Sequence, residues 1–561
     1  MTGCRRLFAA LALVLVFGAA CADRASRNAA GDRPQRGGTL VIAGPADLDA
    51  ANALIAGEKV TQEVNRFLLF LPLVHYAPDL SFEPALARSW ELDGDSAAVF
   101  HLRADVRWHD GTPTRARDVV FTFDRAQDTL TGYPNAEYFT AWLGAEEIDS
   151  LTVRLRYRPH YEPLAGLPFL PIMPAHLLDS IPAERMRQAA FNRHPVGNGP
   201  FRFVEYRAND RWVFDANPDF PAELGGRPWI DRIVWRIVPD AMAQITELQT
   251  GTVDLLLNPQ AERFAELDSA AGITGVVRPS RQYALIGWNH RRGVLGDARV
   301  RRALGYAVDR EQLLRTVRSG LGEVAVGPIA PQHWAFDSTI APLPHSRDSA
   351  RALLAAAGIA DRNGNGRLQL PDGRPFRIEL KFPATSAINR DLAALIDADL
   401  EAIGVTLDQR PTDFGTMVQD FTGQARDFDA ILLGWESDFR LNLRDIFHSD
   451  AAAGPFQFAG YSNPQADTLI DRALAARSHE EARPLYAELQ RILRDDQPWG
   501  FLYYYPELYL VRDRVRGLHM DLRGALVNVT EWWLSGPGPG GAGAPGDSAA
   551  RSHDPDSARA R

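Results

Sequence analysis

His101, His109 and Asp110 lie close together in the chain and are of the types that hold a metal or relay a proton. Their local pattern points to a turn instead. Val99-Phe100-His101-Leu102 alternates as a strand, and Asp110-Gly111-Thr112-Pro113 has turn composition. Gly111 tolerates positive φ and Pro113 fixes the φ that follows. The two histidines are therefore read as hairpin residues. Thr114 is placed to cap a helix with apolar positions Val119, Val120 and Phe123.

A second constellation could hold a hard cation. Asp361, Asn363 and Asn365 take positions one, three and five of a loop, with Gly366 at the sharp turn, Arg367 next, and Asp372 as the closing acid. This is the spacing of an EF-hand-type calcium loop, so a structural calcium is one expectation. Only Asp361 and Asp372 would bring formal charge, and the closing acid is the shorter Asp. The competing expectation is an Asx turn closed by its own hydrogen bonds. No other cofactor is expected.

The third constellation suits an organic ligand. Ile431 to Leu433 reads as a buried strand that Gly434-Trp435 ends, leaving Asp438 on a strand-end loop facing a cleft. A carboxylate there can pair a buried ammonium, and Trp435 offers an apolar wall. Weaker candidates are Pro45 and Asp47 in the loop after the first strand, and Tyr283, Trp288 and Asn289 around a later strand. No HExxH, GxSxG, P-loop or CxxC pattern is present, and no nucleophile–base pair can be named. A binding module is favoured over the alternative of a secreted metal-dependent hydrolase.

The elements that would position these residues begin after an export signal. Arg5 and Arg6 precede the apolar run Leu7–Phe17, and Gly18-Ala19-Ala20 lead into Cys21. That run is too short to span a bilayer, and the arrangement reads as a signal peptide over 1–20. Cys21 has the place of a lipidated residue, although a lipobox usually has Leu where Gly18 stands. Of the two cysteines, Cys4 falls inside the signal, so the mature chain can form no internal disulfide. The chain of 561 residues carries a net charge of −10, and losing Arg5 and Arg6 makes it two charges more acidic. An acidic surface argues against nucleic acid or an anionic lipid face as partner.

Residues 21–36 read as a flexible tether, and 536–561, rich in Gly and Pro, as a disordered tail. Between them strands and helices mix, giving an α/β class. Strands are expected at Thr39–Ala43, Leu151–Tyr157, Ile233–Val238 and Val253–Leu257, with a hairpin over Phe201–Asp215. Helices are expected at Gln62–Leu73, Ala241–Thr250, Val300–Val317, Arg390–Ile403, Leu469–Ala476 and Ala482–Arg494.

The order Ser89-Trp90-Glu91, Phe100-His101-Leu102-Arg103, Trp108-His109-Asp110-Gly111-Thr112-Pro113 and Asp118-Val119-Val120-Phe121 resembles the hallmark segment of the extracellular solute-binding proteins of family 5. These are the dipeptide-, oligopeptide- and nickel-binding receptors of ABC importers. His194-Pro195-Val196-Gly197-Asn198-Gly199-Pro200-Phe201, Asn217-Pro218 and Asp297–Arg310 continue the resemblance, which covers about 37 to 515. It implies a periplasmic-binding-protein-like fold of two lobes joined by two crossing strands, with an extra subdomain and the ligand between the lobes. The parts assigned on it are lobe I at 37–72, 195–288 and 500–535, the subdomain at 73–194, and lobe II at 289–499. It also implies that Asp438 pairs with the α-ammonium of a peptide. This chain lacks the family's usual Pro after that loop. A nickel chelate, an opine or an oligosaccharide remains an alternative ligand. The remaining expectations are a monomer, a membrane permease as partner, attachment to the membrane surface through lipid on Cys21, and a periplasmic or cell-surface location.

Overall fold

The computed structural model describes residues 33–536 except 160, 161, 163, 269, 438 and 440, and except the side chain of 137. The expected signal peptide, Cys21, the tether up to residue 32 and all but the first residue of the tail lie outside these residues. Two large sheets organise the rest. The first has seven strands, in the order Ile273–Arg278, Glu507–Arg512, Leu255–Leu257, Thr39–Gly44, Arg232–Ile237, Arg211–Ala216 and Phe201–Arg207. Its centre is parallel, since Thr39–Gly44 runs beside both Arg232–Ile237 and Leu255–Leu257 in the same direction. The second has six strands, in the order Glu323–Val324, Trp499–Tyr504, Gln282–Trp288, Ala430–Glu436, Arg377–Pro383 and Thr406–Thr412.

Period-two alternation explains how the second sheet is buried on both sides. Along Gln282–Trp288, Tyr283 and Leu285 join one apolar cluster while Ala284, Ile286 and Trp288 join another. Ala430–Glu436 does the same, with Ile431 and Leu433 on one side and Ala430 and Leu432 on the other. A four-stranded antiparallel sheet, Ala87–Asp93, Ala97–Leu102, Thr152–Tyr157 and Trp142–Asp149, lies in the hallmark region. It shares one continuous core with the seven-stranded sheet, through Phe100, Trp108, Phe123, Trp212 and Trp235.

The chain passes between the two large sheets twice, at 279–281 and at 505–506, in neighbouring antiparallel strands. Gln282–Trp288 and Trp499–Tyr504 both belong to the second sheet. The lobe boundaries expected at 288 and 500 therefore each fall one strand off. Hydrophobicity could not reveal this, because these strands are buried in either lobe.

Three local expectations change. The helix expected over Gln62–Leu73 is an α-helical segment, Lys59–Val64, running into a π-helical turn, Asn65–Leu69. The helix expected over Val300–Val317 is two, Ala298–Ala307 and Arg310–Arg318, because the Asp309 carboxylate caps the second by accepting the Gln312 N–H. Thr114 does not cap the hallmark helix, Ala116–Gln127. Asp118 reaches back to the Arg115 N–H at 2.8 Å, and Thr114 is buried beside Asn198.

Candidate ligand-binding site

The hallmark motifs build a buttress for one short element. The π-helical turn ends at Leu69, and a helix end leaves carbonyls without intrahelical partners. The Leu69 oxygen is satisfied by the N–H groups of Asn198 and Gly199, at 2.9 and 2.8 Å. The Asn198 side chain accepts the Leu71 N–H at 2.9 Å. Gly197 and Gly199 have no Cβ because one would run into the Leu69 and Leu68 carbonyls. His109 sits against the same loop, its ring nitrogens meeting Gly197 N and Gly199 O, and burial pushes its pKa down to about 4. His101 faces Glu91, and Asp110 pairs with His176 at 2.8 Å, so the three residues do not converge on a metal.

This turn presents Arg66 to a cavity of about 250 Å³ between the lobes. Lys59, Glu63, Arg66, Tyr138, Phe169, Arg278 and Arg523 line it from the first lobe and the hallmark region. Glu436 and Phe439 line it from the second lobe, and Arg281 from the crossing strand. The lobes touch across it. Lys59 bridges Glu436 at 2.9 Å and Glu507 at 2.6 Å. The Phe439 ring stacks on Tyr76 at 5.1 Å and meets Phe169 at 5.2 Å. Arg281 pairs with Glu436 at 2.7 Å and lies over the Phe439 ring at 3.7 Å.

Behind this wall sits a buried ion network at the crossing strands. Arg278 pairs with Glu507 and lies 3.9 Å from Glu63. The Tyr509 hydroxyl donates to Glu507 at 2.5 Å. Burial pushes the Glu507 carboxyl up, but Arg278 and Lys59 overcome it and hold it down at about 2. Glu436 is lowered in the same way, by Arg281 and Lys59 against burial.

The residues expected to touch ligand fare differently. Asp438 lies outside the described residues, but 436 and 439 on either side of it line the cavity. Trp435 is turned into the second lobe's core, 5.3 Å from Trp499 and 6.0 Å from Phe456, and is not a cavity wall. Asp47 is a scaffold clamp, accepting from Tyr206 Oη at 2.7 Å and Trp212 Nε1 at 2.6 Å. Pro45 is exposed and away from the cavity. Tyr283 and Trp288 are core residues on opposite faces of the second sheet. Asn289 is fully buried and donates to the carbonyls of Arg426 and Phe428. Tyr283, Trp288 and Trp435 depart from their expected roles because alternation along their strands turns them to the core.

The 361–372 loop folds as an Asx turn. Asp361 accepts the N–H groups of Gly364, Asn365 and Gly366, and Asn363 that of Asn365. Asn365 accepts the Arg367 N–H, while the Arg367 side chain pairs with Glu401 and Asp372 with Arg374. Among the described residues no group of three His, Cys, Asp or Glu is placed to hold a metal. No helix among them is long and apolar enough to cross a membrane.

Sequence reasoning missed Lys59, Arg66, Arg278, Arg281, Glu436, Glu507 and Arg523. The available signal was Arg278-Pro279-Ser280-Arg281, two cations flanking a Pro between two strand patterns.

Comparison with known proteins bears on this architecture. The oligopeptide-binding protein AppA of Bacillus subtilis is 28% identical over 539 residues, spanning 94% of this chain and 98% of that one. Heme-binding protein A of Haemophilus influenzae is 30% identical over 444 residues, spanning 74% of this chain and 78% of that protein. The solved structure of Bacillus subtilis AppA in complex with a nonapeptide matches with a TM-score of 0.78 at 27% identity, covering 90% of this chain and 100% of that one. The model of the bacterial extracellular solute-binding proteins, family 5 (middle region), matches residues 81–443. With that span, the two lobes and the cavity between them together, the chain belongs to the extracellular solute-binding proteins of family 5, whose members bind solutes and are not enzymes.

Proposed function

We propose that this solute-binding protein captures a short peptide between its lobes and delivers it to the membrane permease of an ABC importer. The observation that carries the reading is the interlobe cavity, lined by charged and aromatic groups from both lobes and closed by Lys59 and Phe439. Its volume of about 250 Å³ is at the small end for ligand pockets, which favours a di- or tripeptide over a long chain. The similarity to an oligopeptide-binding protein over nearly the whole length supports the same ligand class. The protein works as an exported monomer in the periplasm or at the cell surface, held there by lipid on Cys21. It needs no cofactor.

Asp438 is the counter-ion of the peptide's α-ammonium in this reading, since its chain neighbours Glu436 and Phe439 both face the cavity. Glu436 is engaged with Lys59 and Arg281, which leaves the ammonium to Asp438. Mass spectrometry of material co-purified with the protein should find short peptides. Titration of these peptides against wild type and Asp438→Asn should show a loss of about thirty- to several-thousand-fold, the range for removing one partner of a buried charge pair. Equal affinities would remove Asp438 from this role, and turnover of the bound molecule would overturn the receptor reading.

A further inference from the structure

The cavity wall carries more positive than negative charge, although the whole chain carries −10. Five cations line it, Lys59, Arg66, Arg278, Arg281 and Arg523, against two described acids, Glu63 and Glu436. Four of the five are answered. Lys59 and Arg281 share Glu436, Arg278 takes Glu507, and Arg523 holds Asp521 at 2.7 Å.

Arg66 is the exception. Its nearest acid along the helix, Glu63, accepts the Ala525 N–H at 2.8 Å and faces Arg278. Among the described residues no carboxylate lies within ion-pair distance of Arg66. One of its terminal nitrogens donates to the Arg523 carbonyl at 2.7 Å, and its Nε is buried with no hydrogen-bond partner. Aromatic rings flank the guanidinium, Phe67 at 4.5 Å and Phe169 at 5.0 Å, and hold its plane. A guanidinium stays charged, so withdrawing it from water without an anion is costly. Burial and the nearby charges of Arg281 and Arg278 lower its pKa to about 10, with Glu63 opposing. Arg66 also borders a smaller hollow of about 60 Å³, shared with Arg523, Phe169 and Phe439, which extends the cavity on its side.

We propose that Arg66, with Arg523 beside it, is a specificity-determining anion subsite that takes a carboxylate of the ligand. The planar fork of Arg66 suits a two-pronged carboxylate, and the flanking rings fix its orientation. This deepens the peptide reading and rests on it for the kind of ligand, but the carboxylate could come from the peptide's C-terminus or from an acidic side chain.

The test separates the two sources. Wild type, Arg66→Gln and Arg66→Lys are titrated with Ala-Ala, its C-terminal amide, Ala-Glu, Glu-Ala, Ala-Gln and Gln-Ala, and with glutarate as a non-peptide carboxylate. In wild type, amidating the carboxylate that seats on Arg66 should weaken binding about ten- to a hundred-fold, in the C-terminal or the side-chain comparison. Arg66→Gln should abolish that difference, the acid and its amide then binding alike, and Arg66→Lys should keep part of it. The wild-type comparison stands even where a variant fails to fold. Indifference of wild type to both amidations, or an undiminished preference in a folded Arg66→Gln, would overturn the subsite. If no peptide binds while glutarate raises the wild-type melting temperature and not that of Arg66→Gln, the peptide reading fails and the anion subsite stands. If neither peptides nor glutarate bind, both fail.

Discussion

Asp47 shows how a polar side chain in a promising loop can serve the scaffold. It follows the first strand, where a cleft loop was expected, yet both carboxylate oxygens are engaged by Tyr206 and the fully buried Trp212. Removing it leaves a buried indole N–H without an acceptor. Asp47→Ala should therefore cost about 1–3 kcal/mol in urea unfolding, with peptide affinity unchanged in titration. Arg66 is the reverse case. It is one of 61 basic residues and sits in no motif, so its type carries no signal. Its role depends on Arg278, Arg281 and Arg523, more than two hundred residues away, and on a π-helical turn that no periodicity announces. The acid at 438 was read as following a strand that Gly434-Trp435 ends, but the strand runs on through both to Glu436, because Gly434, Trp435 and Glu436 still pair with Ala284, Tyr283 and Gln282.

At the scale of elements, what the sequence announced were strands with clean alternation and helices with caps. Ala241–Thr250 closes at Gly251 with φ 85°, as a C-terminal glycine should. Phe201–Arg207 and Arg211–Ala216 pair as the expected hairpin. The break at Val308 and Asp309 passed unseen because the apolar face continues in register across it, and only the Asp309 cap marks the second start. The hallmark motifs were legible as a resemblance, but their physical work was not: they close the carbonyl end of the turn that carries Arg66. Gly197 tests that work. A methyl group there meets the Leu69 carbonyl, so the loop or the turn must shift. Gly197→Ala should lower stability by about 1–3 kcal/mol, the usual range for overpacking. It should also weaken ligand binding, although residue 197 lies outside the cavity lining. Thermal unfolding and peptide titration on the same variant check both expectations.

For the molecule as a whole, two lobes meet through two short crossings, and the ion network is built where the crossings pass. Ser280 Oγ donates to the Tyr505 carbonyl at 2.5 Å, and the Tyr505 N–H to that of Gln282 at 3.2 Å, stitching one crossing to the other. Glu507, at the start of the returning strand, is faced by Arg278 and Lys59, by the Tyr509 hydroxyl, and by the Gln282 amide at 3.1 Å. Lys59 continues to Glu436 in the second lobe, so the network spans the closure. A carboxyl held below its unfolded pKa contributes stability above the ordinary Glu range, lost as pH falls through its folded value. For Glu507 that window runs from about 4.5 down to about 2, and Glu436 titrates in the same sense. Half-buried His75, held down to about 3 by desolvation and by Arg66 and Arg523, loses its share over a window that starts higher, near pH 6.5. Glu507→Gln separates these contributions, because it leaves His75 and Glu436 in place. The variant should melt below wild type at pH 7, where Arg278 and Lys59 lack their shared partner. The gap between the two melting temperatures should hold down to about pH 4.5 and then narrow towards pH 2, where the wild-type carboxyl takes up a proton and becomes the neutral group that Gln imitates. A gap that stays constant through that range would show that Glu507 is not held down by its cations.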